Sequence, residues 1–238
     1  MTSSQLRHPN RLLAALPARE FKRLLPHLEV VELGRGDVLV EPGKPIRYAW
    51  FPHRGVISVV ALMANGSEAE TATIGCEGVV SFEFLTGGDI GLARAVVQVS
   101  GVASRIRAAA MRDGEQGSDA FSEIRARYAR ALFRQVMQSV ACNGLHPVEE
   151  RCCRWLLMAH DRAGSDTFDL TQEFLATMLG VRRPTISLVA RSLQRAGIIR
   201  YRRGSITVID RRGLEDAACE CYGAVRQHFE RLLPATYA

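Results

Sequence analysis

The sequence predicts an α+β protein: an N-terminal double-stranded β-helix (a jelly roll), a long dimerisation helix and a C-terminal winged helix-turn-helix. Three observations carry that prediction. Short apolar or alternating runs separated by Gly, Pro and Asn fill residues 29–107. An unbroken helical pattern runs from Ser118 or Asp119 to about Gly144. Residues 170–212 then read as helix, tight turn, helix and short hairpin. The expected divisions are a roll over 1–117, the long helix over 118–145 and the winged helix over 146–238.

At 238 residues the chain has room for two ordinary domains, each with its own core. Its 47% hydrophobic and 24% charged residues argue against extended disorder. No apolar run is long enough for a membrane helix, and the start, MTSSQLRHPN, lacks the apolar centre of a signal peptide. A cytoplasmic protein without a membrane partner is therefore expected. Basic residues are 29 Arg against Lys22 and Lys44, a bias that a GC-rich genome explains as well as nucleic-acid binding does.

In chain order, residues 10–28 read as helix with a break at Pro17, Leu12, Leu13, Leu16, Phe21, Leu24, Leu25 and Leu28 forming the apolar face. Strands are expected at 28–33, 38–40, 48–51, 55–62, 69–74, 94–99 and 101–107. Turn residues lie between them at 34–37, 41–43, 65–66 and 87–89. Residues 108–115 should form a short helix, with Gly114 and Gly117 marking a joint.

The long helix is apolar on two sides. Phe121, Ile124, Tyr128, Ala131, Gln135, Gln138 and Cys142 step by three and four, the spacing of a coiled-coil seam. Leu132, Val136 and Val140, with Phe133 and Met137 alongside, make the second face. A helix with two apolar faces has two partners. The heptad stripe is assigned to the same helix of a second subunit and the other face to the β-roll.

Pro147 restarts the chain, 146–151 is the expected hinge, and 148–163 is helical. Thr171 is a plausible N-cap for a short helix carrying Phe174, Leu175, Met178 and Leu179 and ending at Gly180. Pro184 suits the first turn of the next helix. Ile186, Val189, Ala190 and Leu193 form its inner face, leaving Arg183, Thr185, Ser187, Leu188 and Arg191 outside. Two strands at 198–202 and 205–209 turn at Arg203-Gly204, and 213–233 should be one final helix.

From Gly180 to Arg212 there are nine Arg and one acid, a net of +8, although the whole chain carries only +6. An outward face of arginines and small hydroxyls suits a duplex, since Arg can donate twice to guanine O6 and N7. Base contacts are expected from Arg182, Arg183, Thr185, Ser187, Leu188 and Arg191. Thr171, Gln172, Arg200, Tyr201, Arg202 and Arg203 are assigned to phosphates.

The segment Gly180-Val181-Arg182-Arg183-Pro184-Thr185-Ile186-Ser187 resembles the recognition-helix entry of the Crp/Fnr family of bacterial transcription regulators. In that resemblance Arg183 takes the place of a base-reading arginine and Thr185 that of a threonine on base or phosphate. Pro184 replaces a glutamate that several members use on cytosine, and Leu188 replaces a second base-reading arginine. The family's best-known half-sites therefore do not transfer. The order of elements is also that of the family, and residues 36–43 (GDVLVEPG) resemble the opening of its cyclic-nucleotide-binding-like roll.

Members that bind cAMP pair a Gly-Glu-Leu with an Arg-Ser-Ala for ribose and phosphate. Here Gly75-Cys76-Glu77-Gly78 precedes Arg94-Ala95-Val96, with Glu77 seventeen residues upstream of Arg94 and Glu83 between two phenylalanines. Glu77, Gly78, Glu83, Arg94 and Ala95 mark the expected effector pocket, in a degraded or rebuilt cassette.

The six cysteines are Cys76, Cys142, Cys152, Cys153, Cys219 and Cys221. None precedes Cys76, so the N-terminal iron–sulfur cluster of redox-sensing members is not expected. Cys219-x-Cys221 could hold a metal only with partners from elsewhere, and buried small residues on a helix are the plainer reading. His146 and His160 lack partners at ligand spacing, and no metal site is expected.

The sequence thus points to a homodimeric regulator reading an inverted repeat in double-stranded DNA, with RNA polymerase as a further partner. It is not expected to be an enzyme: no nucleophile–base pair, metal spacing or phosphate loop is present. No cofactor is required. Three effector readings stay open: an unidentified ligand in the roll, a cyclic nucleotide, or constitutive binding without one.

Overall fold

The computed structural model describes residues 8–81, 83, 87–115 and 117–233. The two phenylalanines flanking Glu83 lie outside them. Helix α1 (Arg11–Ala14) is capped by Asn10, whose side chain accepts from Leu13 N, and Pro17 separates it from α2 (Ala18–Leu24). The buried Asn10 amide also donates to Pro52 O at 2.9 Å and Gly78 O at 2.8 Å, fastening the first turn to the roll.

Five antiparallel strands follow: β1 (Glu29–Leu33), β2 (Val38–Val40), β3 (Tyr48–Leu62), β4 (Glu68–Ile74) and β5 (Arg94–Arg107). Their order is β1-β5-β3-β4, with β2 also on β5. The expected strands at 48–51 and 55–62 are one strand, as are those at 94–99 and 101–107. The reason is local. Pro52, Gly55 and Gly101 read as breaks, yet the chain crosses them as bulges where the β3–β5 register shifts. A Cβ on Gly101 would lie 2.0 Å from Arg54 O, so only a glycine lets the two bent strands touch there.

Strand β3 is buried on both faces. Ile57 and Val59 point into the roll core, while Val56 and Val60 join Val99 against the helices of the C-terminal half. That is why alternation fades in this stretch.

Helix α3 (Ala108–Glu115) leads to α4 (Asp119–Leu145), capped by Ser118 accepting from Phe121 N at 3.1 Å. The heptad stripe of α4 is not free for a second subunit, whereas Leu132 and Val136 of the other face do pack on the roll core as assigned. Phe121, Tyr128, Ala131, Gln135 and Cys142 are buried inside their own chain, and Ile124 packs against the same core. Gln135 Nε2 donates to Thr73 O at 2.9 Å, Tyr128 Oη to Val79 O at 3.3 Å, and Gln138 Nε2 to Cys221 Sγ at 3.0 Å. The supposed seam is thus the inner face. Its two glutamines, which would weaken a coiled coil, find acceptors on the roll and the C-terminal helix. Phe133 (66% exposed), Met137 and Val140 (69% exposed) stand in solvent instead.

Helix α5 (Val148–Ala163) starts after Pro147 and packs on β3. A short strand β6 (Thr167–Asp169), too brief to show in the sequence pattern, completes a sheet β6-β8-β7 with β7 (Ile199–Arg202) and β8 (Ser205–Val208). Between them lie α6 (Gln172–Leu179) and α7 (Arg183–Arg195). The expected single last helix is two, α8 (Arg211–Asp216) and α9 (Cys221–Leu232). The break at residues 217–220 lets α9 turn back along α4, where Phe229 meets Tyr128 edge-on at 6.4 Å.

Candidate nucleic-acid interface

Helix α6 is set by Thr171, whose Oγ1 accepts from Phe174 N at 3.3 Å, a cap worth about 1 kcal/mol. Leu175, Met178 and Leu179 on α6, and Ile186, Val189 and Leu193 on α7, share one buried cluster with Trp155 and Leu156 of α5. Burying that face of α7 leaves Arg182, Arg183, Pro184, Leu188 and Arg191 exposed and Thr185 and Ser187 half-buried. Arg183, Pro184, Ser187, Leu188 and Arg191 line one shallow concavity. Leu188 is 60% exposed, an apolar group in the middle of a cationic face.

The wing carries Arg200, Arg202 and Arg203, all exposed. Arg203 and Gly204 both take positive φ (51° and 83°), so the hairpin closes on a primed turn. Two polar contacts tie the wing to α6 and α7, and a third ties the two helices together. Gln172 N donates to Tyr201 Oη at 3.1 Å, Tyr201 N to Gln194 Oε1 at 2.9 Å, and Ser187 Oγ to Gln172 Oε1 at 2.6 Å.

These contacts give four of the residues assigned to DNA a structural part as well. The Thr171 and Tyr201 hydroxyls accept, from Phe174 N and Gln172 N, and keep their own O–H to donate, whereas Ser187 donates its hydroxyl to Gln172. Their geometry suits holding the reading helix and wing in register. The arginines are different. Arg183 has Glu173 at 3.8 Å between two largely exposed side chains, a pair worth little in water.

The expected effector residues each have partners of their own. Glu77 is buried and accepts from Arg162 Nε at 2.9 Å and Nη2 at 2.7 Å, an ion pair joining the roll to α5. Arg94 donates to Glu41 at 3.1 Å and Glu68 at 2.7 Å. Glu83 is buried with Oε1 accepting from Leu92 N at 2.8 Å, and desolvation raises its pKa. Gly78 presses on Tyr128, and Ala95 is buried in the roll. Glu77 is thus committed to a buried pair with Arg162, while the pairs of Arg94 are partly solvated.

Sequence reasoning also missed the polar contacts at the roll–α5 junction. Trp155 Nε1 donates to Glu70 Oε1 at 3.0 Å, and Ser58 Oγ donates to Glu70 Oε2. Burial pushes the Glu70 carboxyl up to about 7 against those hydrogen bonds. A glutamate in an alternating strand gives no sign of that in the sequence. His146 and His160 are not isolated either: His160 Nε2 meets Asp166 at 2.7 Å, and His146 stands beside Cys142, Cys219 and Cys221.

The class defined by this fold and face is a β-roll protein with a winged helix-turn-helix of the DNA-binding kind. Residues 150–217 match the family model of the Crp-like helix-turn-helix domain. Solved structures with the same fold include FixK2 from Bradyrhizobium japonicum, at 15% identity and TM-score 0.68 over 81% of this chain and 98% of that one. TTHB099, a transcriptional regulator of the CRP family from Thermus thermophilus, has 19% identity and TM-score 0.65 over 79% and 96%. The c-di-GMP responsive regulator CLP of Xanthomonas campestris has 17% identity and TM-score 0.61 over 81% and 99%. Among curated proteins compared by sequence, none matches. The domain match and the shared fold agree with the Crp/Fnr resemblance: residues 150–217 are a Crp-like helix-turn-helix domain, in a chain with the fold of Crp/Fnr regulators. No described helix is long and apolar enough to cross a membrane.

Proposed function

We propose that the protein is a homodimeric, sequence-specific transcription regulator that reads an inverted repeat with α7. The observation that carries this reading is the exposed face of Arg183, Leu188 and Arg191, flanked by the wing arginines. Arg183 and Arg191 suit guanine edges or phosphates, and Leu188 suits a thymine methyl. Arg200, Arg202 and Arg203 hold phosphates. The exposed stripe Phe133, Met137 and Val140, spaced by four and three on α4, pairs with its copy across the two-fold. Half-sites then lie about 34 Å apart, one turn of duplex.

Selection of bound fragments from a random duplex pool tests the reading. An enriched inverted repeat at one-turn spacing is the expected result. Val140→Glu should give monomers by sedimentation and lose most operator affinity. A wild-type chain that stays monomeric and ignores duplexes at low salt would refute the proposal.

The ion pairs of Arg94 and Glu77 favour a regulator that needs no cyclic nucleotide in this cassette. Operator affinity should be the same with and without cAMP or cGMP. A large gain with either would mean that Arg94 exchanges Glu41 and Glu68 for a phosphate.

A further inference from the structure

Four side chains from two distant segments meet at the joint between α4 and the C-terminal helices. Cys142 and His146 lie one turn apart at the end of α4, and Cys219 and Cys221 flank Glu220 at the break before α9. Their ligand atoms all lie within 4.8 Å of one another. Cys142 Sγ and Cys219 Sγ are 3.6 Å apart, and Cys221 Sγ and His146 Nδ1 are 3.5 Å apart.

Those spacings have a physical meaning. Tetrahedral zinc, with bonds of about 2.3 Å to sulfur and about 2.0 Å to nitrogen, holds its ligand atoms roughly 3.5–3.8 Å apart. A multinuclear iron–sulfur cluster spreads its thiolates around several metal and sulfide atoms and needs a wider ring.

The surroundings suit an anionic site. Gln138 Nε2 donates to Cys221 Sγ at 3.0 Å. The other ring nitrogen of His146 faces Glu220 Oε1 at 3.2 Å, the carboxylate–imidazole arrangement that orients a metal-bound histidine. Arg154, only 4% exposed, leaves Nε without a hydrogen-bond partner among the described residues, and its charge acts on Cys142 and Cys219. The buried Arg154 guanidinium, whose charge also acts on Glu70, would gain from negative charge on this side. Three thiolates, a neutral imidazole and a dication leave one net negative charge, which Arg154 would balance.

We propose that Cys142, His146, Cys219 and Cys221 bind one divalent ion of the zinc class in a closed tetrahedral site. The three thiols lose their protons to solvent on binding, so four protein ligands fill the coordination sphere. The site pins the start of α9 to the end of α4, immediately before the His146–Pro147 joint, and so fixes the base from which the winged helix departs.

The test uses the full chain, purified reduced and stripped of metal, then titrated with Co²⁺ and afterwards with Zn²⁺. One equivalent of Co²⁺ per chain should give the intense visible bands of tetrahedral cobalt with thiolate charge transfer, and Zn²⁺ should abolish them. Cys219→Ser should remove stoichiometric binding, while Cys76→Ser should leave it intact. Glu220→Gln, at an exposed position that does not threaten folding, should weaken affinity about 10–100-fold. Binding below a tenth of an equivalent, a pale octahedral spectrum, equal loss in Cys76→Ser, or a metal-free Cys142–Cys219 disulfide in the native chain would each overturn the proposal.

Discussion

The arginines of the winged helix and those of the roll and its junction carry the same charge under opposite conditions. Arg162 is 1% exposed by side chain and bonded twice to Glu77, and Arg94 is held between two carboxylates. Arg182, Arg191, Arg200, Arg202 and Arg203 are exposed, and the ion pair of Arg183 among the described residues is a long one, 3.8 Å to Glu173. A paired charge serves the fold; an unpaired one on a rigid helix is available to a phosphate or a base edge. Counting arginines cannot separate these groups. Their partners do.

The largest effect should come from the junction. Arg162→Met leaves Glu77 buried without its cation and should cost about 3–5 kcal/mol in chemical denaturation. Adding Glu77→Gln should recover much of that loss. A cost for Arg162→Met below about 1 kcal/mol would show that the pair is open to water.

Next comes Glu70. Its folded pKa, near 7, is above the ordinary value of 4.5, so the folded state keeps a proton that the unfolded chain releases. Stability from this group is therefore present below about pH 4.5 and is lost as pH rises through 7, by an amount on the order of a few kcal/mol. Glu70→Gln should flatten that part of the stability–pH curve. An unchanged slope would place the decline in other groups.

On DNA the effects are smaller. Arg183→Ala should cost about 1–3 kcal/mol on the selected operator and relax selectivity at one base pair. Arg202→Ala should weaken all sequences alike and lower the salt slope by roughly one. Equal losses from both on random DNA would erase the distinction between reading and holding. The smallest change is expected from Arg94→Ala, below about 1 kcal/mol in stability, because its two ion pairs are partly solvated.

Local signals read well from the sequence. Thr171, Gly180 and Pro184 bracket α6 and α7 because caps and breakers act on their immediate neighbours, and the inner residues of α7 follow from periodicity alone. Contacts between distant segments did not read. Both faces of α4 are apolar, and only the positions of Thr73 and Cys221 decide which glutamines are satisfied inside. Glu77 resembles part of a ligand cassette until Arg162, 85 positions on, is seen against it. Cys142 and His146 gain meaning only when the chain bends at residues 217–220 and brings Cys219 and Cys221 back.

The short loop after β4 sits between two helices. A Cβ at Gly75 would fall 2.3 Å from Arg162 Cδ of α5, and one at Gly78 would fall 2.1 Å from Tyr128 Oη of α4. The backbone there is wedged against α4, which the proposed dimer pairs with its copy, and α5, which shares a core with α6 and α7. A side chain at either glycine would have to displace Arg162 or Tyr128, so in the proposed dimer such a substitution is expected to alter the span between reading heads without touching them.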